Sequence, residues 1–319
     1  MRSVGSYCFR YLFYNCKNIS NCCSLILPAT TLAKNCYDNM FSGCSALTQA
    51  PTLPATTLAS SCYMRMFSGC SALTQAPALP ATTLTDYCYD DMFNSCTSLT
   101  QAPALPATTL ADYCYNSMFS GCKSLAQAPA LPATTLADYC YNNMFVNCSS
   151  LTQAPELPAT TLASYCYSNM FSGCTSLTQA PALPATTLAD NCYSGMFSGC
   201  TRLTQAPALP ATTLASSCYY GMFVNCSSLT QAPTIKTYTP ELYAFGSMLY
   251  TFNYATNEWG LSVCNWPDLT LSEVESMVLN ETIFGYDNPG GDVRISITCK
   301  DGSGTAYYDS EKTSWVFEY

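Results

Sequence analysis

The chain has 319 residues, of which 49% are hydrophobic and 10% charged, and its net charge is -9. Only 11 lysines and arginines are present, which argues against nucleic acid as a partner, and the lack of histidine removes the commonest general base together with every Ser–His or Cys–His pair. No apolar run approaches the roughly 18 residues of a membrane span, and the opening MRSVGSYCFRYLFYNC shows no basic region followed by an apolar one, so no signal peptide is visible.

The chain opens inside a repeated pattern. Val4, Gly5, Cys8, Phe9, Leu12, Phe13, Asn15 and Cys16 align with Leu32, Ala33, Cys36, Tyr37, Met40, Phe41, Gly43 and Cys44. The link that follows, KNISNCCSLI, is two residues longer than its later counterparts. No capping element precedes this unit, so a piece of something longer, or an end covered by a partner, is expected.

From Leu27 a unit of 26 residues recurs eight times, starting at Leu27, Leu53, Leu79, Leu105, Leu131, Leu157, Leu183 and Leu209. The copy at 131–156 reads LPATTLADYCYNNMFVNCSSLTQAPE. A fixed period of this size predicts a stacked solenoid. One unit cannot stand alone, because burying about six apolar side chains stabilises less than ordering its backbone costs.

Within the first copy, Thr30 and Thr31 are placed to cap a helix start. Leu32, Ala33, Cys36, Tyr37, Met40 and Phe41 then form one apolar stripe, which predicts a short helix. Gly43 falls where a left-handed helix end is expected, and Asn147 and Asn225 replace it in other copies. Only Ser95 departs from that Gly/Asn choice. A short parallel strand is predicted near residues 47–50, ended by Pro51, which has no N–H for a ladder. Gln49 recurs as Gln75, Gln101, Gln127, Gln153, Gln179, Gln205 and Gln231; the column is either a solvent-facing amide ladder or an inward hydrogen-bonding spine.

Residues 235–252 form a ninth, decayed copy. Ile235 takes the Leu27 place, Ala244 and Phe252 replace the two cysteines, and Met248 and Leu249 hold the Met–Phe places. The tail then reads as a helix, TLSEVESMVLNE, followed by strands around a DGSG turn. The expected organisation is a repeat array over 1–252 and a cap or docking domain over 253–319.

Met40, Phe41, Cys44, Leu47 and Pro51, repeated in every full copy, resemble the BspA-like type of leucine-rich repeat. The resemblance covers roughly residues 4–252, and this unit is a few residues longer than the family's typical one. It implies an α/β solenoid with short parallel strands on one face and short helices on the other, closed by a small α+β C-terminal cap. It also implies a surface-displayed, secreted or virion-associated protein used in adhesion and recognition, and it carries no catalytic residues over.

Two cysteines per copy, such as Cys36 and Cys44, account for most of the 22. Their spacing of eight does not fit zinc knuckles, so neither metal nor cofactor is expected. They lie on the apolar stripe, and Ala244 and Phe252 replace them in the decayed copy, which favours free buried thiols over a disulfide ladder.

Differences between copies concentrate on the other face of the predicted helix. Tyr87, Tyr113, Tyr139 and Tyr165 align in one stripe beside Asp86, Asp112, Asp138, Asp90 and Asp91. Drift on a solvated face accounts for most such variation. The sharper reading is a contact stripe for a host or cell-surface protein or a glycan. The functional expectation is a non-enzymatic recognition or adhesion solenoid. The alternative is a spacer or self-assembling surface, filament or virion component stacking through uncapped ends. An enzyme acting through the tail is disfavoured, because no site constellation is visible.

Overall fold

A computed structural model describes residues 4–239, 243–250, 252–253, 258–259, 263–285 and 293–319. Consecutive units stack in register, each residue meeting its counterpart 26 positions on.

The predicted helices are not there; the stripe folds as a run of linked turns. Every fourth residue is left-handed: Asn35 at φ 53°, Asn39 at 55° and Gly43 at 76°. Residues between them close tight turns, as in Cys36 N–H to Ala33 O at 3.3 Å and Met40 N–H to Tyr37 O at 3.2 Å. The intervening amides leave the unit altogether. Tyr37, Asn39, Phe41 and Gly43 donate to the carbonyls of Cys62, Met64, Met66 and Ser68 in the next unit, at 2.7–2.9 Å. The physical reason lies in the period. The apolar pairs recur every four residues, whereas a four-residue step on an α-helix overshoots one turn by about 40°. Such a stripe drifts off a helix face within three steps. The Asn, Asp, Ser, Tyr and Cys content is also poor helix material.

The predicted strands shrink to single-residue parallel bridges, at Gln75 with Gln101 and at Thr83 with Thr109. Prolines close on either side, as Pro77 and Pro80 do, and deny the ladder further donors. The threonine pair therefore supplies a bridge column and not a helix cap. The glutamine column faces solvent, and the Gln75 amide donates to Gln101 Oε1 at 3.1 Å. Strands on one face and helices on the other thus do not describe these repeats.

The core is a set of side-chain columns running along the stack. Phe41 stacks on Phe67 at 5.6 Å and 5° between ring planes, and the ladder continues to Phe223. A parallel ladder runs from Tyr37 to Tyr219. Between and around the rings, Cys36, Met40, Cys44 and Leu47 are buried in every copy. All cysteines are free thiols. Cys70 Sγ donates to Phe41 O of the preceding unit at 3.1 Å, and the contact recurs down to Cys226 with Phe197. A thiol fills this place as a small hydrophobe with one weak donor.

After a two-residue antiparallel pair, β1 (Phe252–Asn253) with β2 (Glu258–Trp259), the tail builds a four-stranded sheet. Its order is β3 (Val263–Trp266), β4 (Arg294–Cys299), β5 (Gly302–Asp309) and β6 (Ser314–Glu318). β3 and β4 are parallel, and the rest antiparallel. Helix α1 (Leu271–Leu279) starts at Thr270, whose hydroxyl accepts from Glu273 N–H while Glu273 reaches back to Thr270 N–H. This capping box satisfies amides that the first helical turn leaves orphaned.

The tail closes the stack by imitating the next unit. Among the described residues, three outward-pointing amides of the ninth copy are met by the tail. Phe245 N–H finds Glu281 Oε2 at 2.7 Å, Ser247 N–H finds Thr282 O at 3.3 Å, and Leu249 N–H finds Ile283 O at 2.9 Å.

Candidate recognition surface

The variable columns are the left-handed columns and their immediate neighbours. Tyr87, Tyr113, Tyr139 and Tyr165 sit at φ 56–57°, in the column that holds Asn35 and Ser61 elsewhere. Asn, Gly and Ser are understandable there, since short or absent side chains tolerate this region. Tyrosine is not, because nothing in its side chain favours a left-handed backbone. Four consecutive tyrosines therefore need another cause, and ring stacking supplies one.

The rings lie face to face at 4.6, 4.4 and 4.5 Å between centroids, with planes within 9° of parallel. Each inner ring has both faces covered by neighbours. What the row offers to solvent is ring edges and hydroxyls, plus the outer faces of its two end rings, Tyr87, which is 37% exposed, and Tyr165. Desolvation, followed by the hydroxyls of Tyr113 and Tyr165, pushes Tyr139 up to about 12. Tyr87 is raised as well, by desolvation first and then by Tyr113. Tyr139 and Tyr87 thus stay neutral at physiological pH.

The five aspartates divide into two groups. Asp86, Asp112 and Asp138 are exposed alongside the row. One oxygen of Asp112 accepts from Asp138 N–H at 3.1 Å, and one of Asp138 accepts from Ser164 N–H at 2.9 Å. Asp190 repeats this with Ser216 N–H. These carboxylates tie one unit to the next and leave their second oxygens outward.

Asp90 and Asp91 lie one turn further along the chain, and Asp90 still bears on the row: after desolvation and Tyr113 it is the next cause that raises Tyr87. Asp90 is 5% exposed and accepts from Asn116 Nδ2 at 2.7 Å, and burial raises its carboxyl to about 6. Asp91 holds the Arg65 guanidinium at 3.0 Å and accepts from Asn94 Nδ2 at 2.9 Å. Both serve the packing of the turns.

Sequence reasoning passed over Glu281. It is 1% exposed, its Oε1 has no hydrogen-bond partner among the described residues, and burial raises its carboxyl to about 7. The one available signal was its position as the last residue of the predicted helix, where a carboxylate opposes the C-terminal end of the helix dipole. Among the described residues no group of three metal-ligating side chains converges, and no helix is long and apolar enough to cross a membrane.

Comparison with known proteins agrees with this repeat anatomy. A family profile described as the BspA-type leucine-rich repeat region matches residues 4–152 and 115–248, with six copies. No curated protein matches the chain. The matched stretches cover well over half the sequence, and the chain belongs to the BspA-type leucine-rich repeat family.

Proposed function

We propose that this protein is a non-enzymatic recognition or adhesion module, displayed on a cell or virion surface or secreted, that engages a protein or glycan through the tyrosine row. The observation that carries the reading is the row itself. Four consecutive units place a bulky ring on a left-handed backbone, at a site where the other four full units use Asn or Ser and the two incomplete ones Tyr7 and Tyr243. Leucine-rich repeat families are in general repeat proteins without catalysis and often lie at surfaces, and the absence of histidine fits that pattern.

The row's chemistry narrows the ligand. Inner ring faces are occupied, so a sugar cannot stack on them, and only the end rings, Tyr87 and Tyr165, have a face without a stacked neighbour in the row. The remaining contacts are hydroxyls and the free carboxylate oxygens of Asp86, Asp112 and Asp138, which suit hydroxyl-rich or basic groups. The test is a glycan and host-surface protein binding screen with the intact chain, followed by Tyr113→Ala with Tyr139→Ala. Loss of binding at an unchanged melting temperature supports the reading; undiminished binding by the double variant refutes it.

A further inference from the structure

The tyrosine row stops at Tyr87. The preceding unit has Ser61 in the same column, so no ring covers the outer face of Tyr87. Asp86 stands beside it and differs from Asp112, Asp138 and Asp190, each of which ties an oxygen to the next unit. Neither oxygen of Asp86 accepts a hydrogen bond among the described residues. The Tyr87 hydroxyl feels these charges. After desolvation and Tyr113, the carboxylates of Asp90, Asp86 and Asp112 make it hold its proton more tightly. Units two and three, residues 53–104, contain a single cationic side chain, Arg65, and Asp91 holds it at 3.0 Å.

The chain shows twice what an exposed tyrosine face beside a carboxylate accepts. Tyr7 occupies the same column in the first unit. The Arg10 guanidinium lies 5.7 Å from the centre of its ring, 4.7 Å from that of Tyr11, and 2.7 Å from Asp38. In the tail sheet, Arg294 lies over Tyr307 at 4.4 Å and reaches Glu318 at 3.0 Å. Each guanidinium shares an aromatic face and a carboxylate. At Tyr87 the face and the carboxylate recur without the cation, because Asp90 takes the place that Arg10 holds three residues after Tyr7.

We propose that the outer face of Tyr87, together with Asp86, is a seat for an arginine side chain of a partner protein. The proposal rests on the tyrosine-row reading and narrows it to one residue type at one end of the row. The guanidinium stacks on the ring, whose π face attracts it, and its fork takes both oxygens of Asp86. Lysine is a poorer occupant, because a compact ammonium has no plane to stack and no fork. Ser61 keeps the face clear; a tyrosine there, as in units three to six, continues the row and closes the seat. The far end, at Tyr165, lacks the free carboxylate. Ser164 precedes that ring, and Asp190 of the next unit already accepts from Ser216 N–H at 3.1 Å.

The test titrates the intact chain against three fluorescein-labelled peptides, read by fluorescence polarisation. They carry arginine, lysine or citrulline at four alternate positions between glycine and serine. The arginine peptide should bind roughly tenfold more tightly than the lysine peptide of equal charge. The citrulline peptide, planar but uncharged, should bind more weakly than either. Ser61→Tyr and Asp86→Asn should each abolish the preference for arginine, with circular dichroism unchanged. If Ser61→Tyr does not fold, Asp86→Asn, at an exposed side chain, decides alone. Equal affinity for the arginine and lysine peptides overturns the proposal, as does binding of neither, or a preference that survives in a folded variant. A glycan from the surface screen that the wild type binds and Ser61→Tyr loses gives the seat to a sugar and overturns the arginine assignment. A screened ligand kept by Ser61→Tyr but lost with Tyr113→Ala and Tyr139→Ala upholds the row and overturns the seat. One undiminished in that double variant overturns the row reading, and the seat with it.

Discussion

Replacing Glu281 by glutamine isolates what a buried carboxylate does where the tail meets the stack. Its oxygen stands where a repeat carbonyl would otherwise accept from Phe245 N–H, and its other oxygen has no partner among the described residues. Burial raises the carboxyl from an ordinary 4.5 to about 7, and the titratable groups against it are Tyr238 and the Cys218 thiol. Because the folded value lies above the unfolded one, the folded state holds the proton more tightly. The closure is therefore most stable below pH 4.5, weakens as pH rises, and reaches its full penalty above about 7. At about 1.36 kcal/mol per unit, that penalty is on the order of 3 kcal/mol for the ionised form. Glutamine keeps the acceptor and cannot ionise. Hydrogen exchange at Phe245, Ser247 and Leu249 should accordingly match in the two proteins at pH 4. At pH 8 the wild type should be less protected, by on the order of 300-fold on the same conversion. A ratio that stays flat with pH, or a wild type that is better protected at pH 8, refutes the reasoning.

Asp90→Asn should behave in the same sense within the array. Its carboxyl lies at about 6 through burial, so the variant should exceed the wild type by about 2–3 kcal/mol at pH 7.5, measured by denaturant titration, with the gain fading as pH falls through about 6 and gone near pH 4. Tyr141→Phe removes a buried hydroxyl that has no hydrogen-bond partner, in a column that already ends in Phe9 and Phe245. Calorimetry should show no loss of stability and a gain of up to about 1 kcal/mol. Thiol titration of the native chain should find fast reaction at Cys8 and Cys23 and slower reaction at Cys16, against 22 thiols after denaturation. Burial pushes Cys36 and Cys44 up to about 11 and Cys62 and Cys114 up to about 12, so these should stay unreactive.

The repeat, its core letters and the free thiols were legible because one-dimensional stacking writes its packing into columns. Ala244 and Phe245 at the decayed end mark which places need only volume. The left-handed place at Gly43 was legible too, from its exchange with Asn147 and Asn225. The same logic applied unread to Asn35 and Asn39, because tyrosine, arginine and aspartate share those columns and mask the signature. Mistaking a period of four for 3.6 then turned linked turns into helices. The row of Tyr87, Tyr113, Tyr139 and Tyr165 survived the error, since stacking in register depends on unit length and not on the path within a unit. The tail was readable as elements, with α1 and the turn at Asp301 and Gly302 in place. Its contact with the ninth unit was not, because Glu281 acts through a tertiary contact 36 residues away.

The uniform ring ladders have a kinetic consequence. Phe67 meets Phe93 just as Phe93 meets Phe119, at 5.7 Å and 4° in both cases. A unit that skipped its neighbour and stacked on the following one would recover the same core, at the cost of a looped-out unit. Nothing in the ladders corrects such a slip. The few side chains that differ between copies can. Arg65 finds Asp91 only if the second and third units are adjacent, and Asp90 finds Asn116 only if the third and fourth are. These polar pairs serve as register marks that tell a folding chain which of eight near-identical neighbours is the next one.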